Sequence, residues 1–134
     1  MTREDKLKEF FDAAHSYEQN LNNFRLHVEN FLEEYEELKE EIFYFHYFQQ
    51  EVDNSRHRFR MAGRYKRENL VKELADVQYT LSGLALYLGV DLEEAFNRVH
   101  ANNMSKLIDG KIARAENGKV LKPEGYVKAD MRGL

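Results

Sequence analysis

The chain has 134 residues, of which 43% are hydrophobic and 33% are charged, and its formal net charge is −4. This length suits one domain with a real core, so we expect a single domain over residues 1–134. Because the chain has no cysteine and one proline, disulfide scaffolds, cysteine-based zinc or iron–sulfur sites and proline-rich linkers are excluded. No apolar run is long enough to span a membrane, and the N-terminus is charged, so we expect a cytoplasmic protein.

Four amphipathic helices are predicted, followed by a non-helical tail. They cover about residues 3–16, 21–48, 67–88 and 91–108. The second helix is the clearest, because its apolar residues alternate three- and four-residue spacings from Leu21 to Phe45. Gly89 suits the C-terminal cap of the third helix, and Asp91 with Glu94 forms a capping pattern for the fourth. Turn pairs such as Asn117-Gly118 predict a hairpin-like or extended tail. The predicted class is therefore all-α, a four-helix bundle with a short non-helical tail.

The charges are unevenly distributed along the chain. Residues 29–41 contain seven glutamates, and residues 56–67 contain six lysines and arginines. The basic segment is predicted as a loop or a short helix. Such blocks are either solvated surfaces or a metal site beside an anion site. Nucleic acid is not an expected partner, because the sequence pI is about 5.8 and nucleic-acid-binding domains are usually basic.

Two pairs of carboxylates at three-residue spacing lie on the second and third predicted helices. Glu73 and Asp76 occur among mostly apolar neighbours, and two like charges are costly to bury together without a cation. Glu34 and Glu37 repeat the spacing on one flank of the second helix. Four carboxylates from two antiparallel helices would form an oxygen-rich site that suits Mg²⁺ or Mn²⁺ better than Zn²⁺.

These acidic residues have two other interpretations, a solvated surface and a di-iron centre. A glutamate-rich helix face is usually a solvated surface, and this alternative stays open for the first pair in particular. A ferritin-like di-iron centre needs Glu-x-x-His motifs on two helices. None of the five histidines has a glutamate three residues before it, so we do not expect a di-iron centre.

Two short motifs and the tail carry a family resemblance. Residues 33–38 read Glu-Glu-x-x-Glu-Leu, and residues 73–76 read Glu-x-x-Asp on the next long helix. In this order they resemble the MazG-like all-α nucleoside triphosphate pyrophosphohydrolases. Residues 99–107 and the tail resemble the C-terminal signature of single-domain members, including phage-encoded ones. The resemblance covers roughly residues 10–130. The chain departs from the family pattern in two ways. Ala129 stands where family members often have proline, and the chain has no tryptophan.

The resemblance implies a single MazG-like domain with a helical core at about 3–108 and a tail at 109–134. It implies hydrolysis of (deoxy)nucleoside triphosphates to the monophosphate and pyrophosphate, by attack of metal-activated water on the α-phosphorus. The expected cofactor is Mg²⁺, with Mn²⁺ as a substitute. The implied metal ligands are Glu34, Glu37, Glu73 and Asp76. Glu33 or Glu41 is the implied general base. The implied substrate contacts are Asn103, Lys106, Lys119, Lys122 and Tyr126.

Three further expectations concern alternatives and partners. The enzymatic alternative is a dedicated dUTP or phosphoribosyl-ATP pyrophosphohydrolase on the same fold, and the non-enzymatic alternative is a helical interaction module. The long helices have wide apolar faces with little to cover them, so we expect a homodimer or homotetramer. A phage-encoded member would act in the host cytoplasm.

Overall fold

The computed structural model describes residues 1–13, 23–49 and 56–134, with the backbone alone described for residues 56–59. These residues contain five helices. They are α1 (Arg3–Ala13), α2 (Phe24–Gln49), α3 (Arg56–Gly63), α4 (Arg67–Leu88) and α5 (Leu92–Met104). The described segments contain no strand, and their only β-pairing is two isolated bridges in the tail. The predicted all-α class with a non-helical tail is therefore confirmed.

The observed helix bounds follow the predicted ones with two differences. The short α3 lies in the basic segment, where the sequence leaves a loop and a short helix as alternatives. The last helix ends at Met104, and its predicted extension to about residue 108 is wrong. Its final turn tightens, because Lys106 N–H bonds the Asn103 carbonyl and Leu107 N–H bonds the Met104 carbonyl at three-residue spacing. The predicted helical residues 14–16 and 21–22 and the predicted break at 53–55 lie outside the described residues.

The chain divides into two compact units, Met1–Gly89 and Val90–Leu134. In the first unit α2 packs against α4 and α3, and α1 packs against α4. Helices α2 and α4 are antiparallel, since the ring of Phe24 lies 5.4 Å from that of Tyr87, whereas Phe45 lies 5.0 Å from Tyr65. The first unit is therefore a helical bundle whose longest contact is the seam between α2 and α4.

A close approach of α1 to α4 forms the core of the first unit. Leu7 is 2% exposed and Ser82 is fully buried. A Cβ atom on Gly83 would lie 3.0 Å from Leu7 Cδ2, so the missing side chain is what lets α1 sit this close. His27 of α2 is buried beside them, with its ring 6.1 Å from that of Phe11. These contacts fix the register of α1 on the bundle.

Caps and turns define the second unit. Asp91 accepts a hydrogen bond from the Glu94 N–H at 2.9 Å and begins α5 as predicted. The Asp109-Gly110 pair turns the chain with φ values of 51° and 74°, the positive φ values that a tight two-residue turn requires. Beyond it, an isolated bridge joins Arg114 to Val120 around the Asn117-Gly118 turn, so the tail is hairpin-like.

Helix α5 also holds the end of the tail. Arg98 donates from Nη1 to the carbonyl oxygens of Asp130 and Arg132, both at 3.0 Å. Asn102 donates to the Val127 carbonyl at 2.6 Å. The second unit is therefore organised by polar contacts between one helix and the chain that follows it. Across residues 1–13, 23–49 and 56–134, no helix combines the length and apolar character that crossing a membrane requires.

Candidate functional site

An acidic cluster lies on the seam between α2 and α4 in the first unit. Glu34 comes from α2, and Glu73 and Asp76 come from α4. One carboxylate oxygen of each residue lies within 4.8 Å of one from each of the others, and all three residues are partly buried. The three-residue spacing on α4 places both of its carboxylates on the side that faces α2. Three of the carboxylates proposed as ligands therefore converge.

Two oxygens in this acidic cluster are buried without a hydrogen-bond donor. Oε2 of Glu34 and Oε2 of Glu73 accept no hydrogen bond from the described residues. Burial raises the pKa of the Glu34 carboxyl, and the charges of Asp76, Glu37 and Glu73 raise it further. Desolvated carboxylates without donors are stabilised by a bound cation. Because every donor atom is a carboxylate oxygen, the cluster fits Mg²⁺ or Mn²⁺.

Lys72 supplies a positive charge at the edge of the acidic cluster. Its Nζ donates to Asp76 Oδ2 at 2.5 Å and lies 3.6 Å from Glu73 Oε1. The hydrogen bond to Asp76 is the main reason that the pKa of Lys72 is raised. Lys72 is not among the candidates predicted from the sequence, although its four-residue spacing to Asp76 is a signal that could identify it.

The other predicted glutamates of α2 take different positions. Glu41 is partly buried, and its Oε2 accepts no hydrogen bond from the described residues. Burial raises the pKa of Glu41, and the charges of Glu40 and Glu73 add to the effect. Glu37 is exposed and lies outside the acidic cluster, and Glu33 is also exposed. Of the two candidate bases, Glu41 is the one beside Glu73 on the seam.

Most of the predicted substrate contacts meet around Tyr126 in the second unit. The Tyr126 hydroxyl donates to Asn102 Oδ1 at 2.6 Å. The Nζ atoms of Lys106 and Lys122 lie 5.8 Å and 5.0 Å from the centre of the Tyr126 ring. Lys106 also donates to Asn103 Oδ1 at 2.8 Å. We call Asn103, Lys106, Lys122 and Tyr126 the lysine cluster, and its two ammonium groups give it the charge to bind an anion.

Lys119 is a predicted contact that lies in a turn of the tail, and Asn102 is a structural contact that the sequence did not predict. Lys119 is exposed, and its backbone N–H donates to Asn117 Oδ1 at 3.0 Å in the turn. Asn102 is absent from the predicted candidates, yet it holds both Tyr126 and the Val127 carbonyl. An asparagine beside Asn103 on a helix gives no separate signal in the sequence, because its role depends on where the tail returns.

Comparison with known protein families supplies one match. The family model described as phosphoribosyl-ATP pyrophosphohydrolase matches residues 5–103. This range contains the acidic cluster and Lys72, and it ends before Lys106 and the tail. No curated protein sequence matches the chain.

Proposed function

The chain belongs to the phosphoribosyl-ATP pyrophosphohydrolase family, and we propose that it hydrolyses phosphoribosyl-ATP to phosphoribosyl-AMP and pyrophosphate with a divalent metal. This is a family of hydrolases that act on acid anhydrides, within the MazG-like all-α superfamily, so the resemblance seen in the motifs is confirmed. The observation that carries the proposal is the acidic cluster of Glu34, Glu73 and Asp76 inside the matched residues. The match favours the phosphoribosyl-ATP alternative over a general dNTP substrate.

The acidic cluster provides the proposed metal ligands. Glu34, Glu73 and Asp76 would hold Mg²⁺ or Mn²⁺, and Glu37 is proposed as a fourth ligand from the same helix as Glu34. A bound divalent ion neutralises phosphate charge and lowers the pKa of a water molecule that attacks the α-phosphorus. The two buried oxygens without hydrogen bonds support this assignment, since they leave acceptor capacity for a cation.

Glu41 is the better-supported general base. It would accept a proton from the attacking water, while the bond between the α-phosphorus and the bridging oxygen breaks and pyrophosphate leaves. Its partly buried carboxylate, whose pKa is raised, is a stronger base than an ordinary glutamate. Glu33 is exposed, which supports a lesser role for it. A Glu41→Gln variant is expected to lose more activity than Glu33→Gln, and equal losses would contradict this assignment.

The lysine cluster is proposed to bind substrate phosphates. The support comes from the second unit alone, where Lys106 and Lys122 approach the same tyrosine ring. Lys119 is proposed as a weaker phosphate contact from the neighbouring turn. Replacing Lys106 and Lys122 by methionine is expected to raise the KM for the nucleotide while Mn²⁺ affinity stays unchanged.

A general dNTP pyrophosphohydrolase is the second candidate. The observation in its favour is the tail, which resembles that of single-domain MazG-like members and lies beyond the family match. Both substrates carry the same phosphoanhydride linkage between the α- and β-phosphates, so the acidic cluster serves either. The two candidates differ in whether the protein requires the phosphoribosyl group.

We propose a homodimer or homotetramer that acts in the cytoplasm, where nucleotides are abundant. In the described residues the buried hydrophobic side chains are only Leu7, Leu38 and Ala85. Meanwhile Leu32 of α2 and Leu74 of α4 are each 51% exposed. Apolar surface of this kind is normally covered by another chain. Light scattering after size exclusion tests the oligomer, and a monomeric mass at micromolar concentration would contradict it.

Pyrophosphate release tests the proposed reaction directly. The wild type is assayed with phosphoribosyl-ATP and with a panel of dNTPs and NTPs, in Mg²⁺ and in EDTA. Glu73→Gln keeps the side-chain volume but removes one ligand charge, so we expect a loss of at least about 100-fold. Glu36→Gln is the matched control on α2, because Glu36 is exposed and pairs with Lys39 at 3.3 Å.

The outcomes separate the candidates. Metal-dependent release from phosphoribosyl-ATP that Glu73→Gln abolishes and Glu36→Gln retains would confirm the proposal. Release from dNTPs without release from phosphoribosyl-ATP would assign the second candidate. A folded protein that releases pyrophosphate from neither would refute both and favour the helical interaction module.

A further inference from the structure

We infer that Lys72 is the resident counter-cation of the acidic cluster, that its ammonium competes there with a divalent metal, and that it thereby lowers the metal affinity. The inference rests on the proposed metal-binding function and adds a positioning residue to it. It follows from two features of the acidic cluster, which are the ion pair that Lys72 makes with Asp76 and the different exposure of the two sides of the cluster.

The two sides of the acidic cluster differ in their access to solvent. The Lys72 side chain is 66% exposed, whereas that of Glu73 is 13% exposed. Lys72 therefore reaches Asp76 from the outer edge, while Oε2 of Glu34 and Oε2 of Glu73 are buried inside. The ammonium neutralises part of the charge, but it does not supply the hydrogen bonds that the inner oxygens do not receive from the described residues.

A metal held by all three carboxylates would need the carboxylate that Lys72 now occupies. Asp76 belongs to the acidic cluster, and its Oδ2 is the atom that accepts the hydrogen bond from Lys72. An ammonium that stayed in place would stand beside a dication. Because Lys72 is a long, exposed side chain, its ammonium can instead rotate away into water, which breaks the ion pair.

Both possibilities weaken metal binding by a modest factor. In water, an ammonium about 6 Å from a dication lowers the binding constant about tenfold. Giving up an exposed ion pair lowers it by up to about fivefold. Removing the Lys72 charge is therefore expected to tighten metal binding about threefold to tenfold.

Calorimetric titration of the full chain with Mn²⁺ at fixed ionic strength tests the inference. Lys72→Met removes the charge and keeps most of the aliphatic stem, and Lys72→Arg keeps the charge. Lys39→Met is the matched control, because Lys39 is a half-exposed lysine of the same unit whose ion pair is with Glu36 instead of the cluster. Glu73→Gln identifies the acidic cluster as the Mn²⁺ site.

The expected result is a Kd for Mn²⁺ that falls about threefold to tenfold in Lys72→Met and stays near the wild-type value in Lys72→Arg and Lys39→Met. A Kd in Lys72→Met that equals or exceeds the wild-type value, with Mn²⁺ still bound in a Glu73-dependent way, would overturn the role of Lys72 and leave the proposed function intact. If neither wild type nor Lys72→Met binds Mn²⁺, the metal site itself fails. Binding that appears only in Lys72→Met would support the inference in its strongest form.

Discussion

Neutralising Glu34 is expected to stabilise the metal-free protein while it abolishes stabilisation by metal. Glu34 is the one carboxylate that α2 contributes to the acidic cluster, and it faces two carboxylates of α4. Without a bound metal ion, each of these neighbours repels it across the seam on which the bundle depends. Glu34→Gln removes the charge and keeps the shape of the side chain.

The size of the effect follows from the distances. Oxygens within 4.8 Å of each other repel by about 1 kcal/mol per pair even at the dielectric constant of water. Glu34 faces Glu73 and Asp76, and the Lys72 ammonium offsets part of this repulsion, so neutralising Glu34 should raise the free energy of unfolding by up to about 2 kcal/mol. For a chain of this size that corresponds to a rise in Tm of roughly 5–10 °C.

Thermal and urea unfolding of wild type and Glu34→Gln at pH 8, in EDTA and in Mn²⁺, measure both halves of the prediction. In EDTA the variant should be the more stable protein. Mn²⁺ at one hundred times its Kd should add about 2.7 kcal/mol to the wild type and little to the variant. With Mn²⁺ added, the free energy of unfolding of the wild type should therefore equal or exceed that of the variant.

A matched variant and a clear refutation accompany this experiment. Glu33→Gln makes the same chemical change at the adjacent, exposed position, and it should alter stability by less than about 0.5 kcal/mol in either solution. If Glu34→Gln is less stable than wild type in EDTA, or gains as much from Mn²⁺ as wild type does, the reasoning from charge repulsion is wrong.

The remaining predictions concern pH, the core and the tail. The metal-free protein should become more stable as pH falls from 8 through the raised pKa values of Glu34 and Glu41 towards their ordinary value of 4.5, because the folded state binds protons that the unfolded state does not. Urea midpoints in EDTA across this range measure the effect, and a double Gln variant should lose it. Leu7→Ala should lower the unfolding free energy by about 3 kcal/mol, because Leu7 is 2% exposed; a loss below about 1 kcal/mol in urea unfolding would contradict the packing of α1. Arg98→Ala should speed tryptic cleavage at Lys128 about tenfold, since two hydrogen bonds to the tail are lost; unchanged cleavage would contradict the docking of the tail.

The long helices could be predicted because burial leaves a periodic trace. The apolar residues of α2 alternate three- and four-residue spacings, and the bounds of α4 also follow from apolar spacing. Gly89 ends α4 in the left-handed conformation with φ 67°. The short α3 has only 8 residues, RHRFRMAG, which are too few to establish an apolar period. The end of α5 also escapes prediction, since it depends on three-residue hydrogen bonds in the final turn, which apolar periodicity does not encode.

The acidic cluster could be predicted in part, and helix geometry explains the rest. At about 100° per residue, Glu37 lies about 60° around α2 from Glu34, whereas Glu41 lies only about 20° from it. On α2, the seven-residue step from Glu34 to Glu41 therefore follows the seam with α4, and the three-residue step to Glu37 leaves it. This accounts for the partly buried Glu41 and the exposed Glu37. Local spacing identifies candidate carboxylates, but the line of contact between two helices selects among them.

The end of the tail, from Val127 onwards, is held through main-chain atoms, which leaves its side chains free to change. Arg98 and Asn102 donate hydrogen bonds to the main-chain carbonyls of Val127, Asp130 and Arg132. Every residue type has a main-chain carbonyl. Substitutions in this stretch of the tail can therefore accumulate without releasing it from α5. From Val127 onwards the constraint on docking therefore falls on two helical residues, so evolution can vary the side chains of this stretch while its path stays the same.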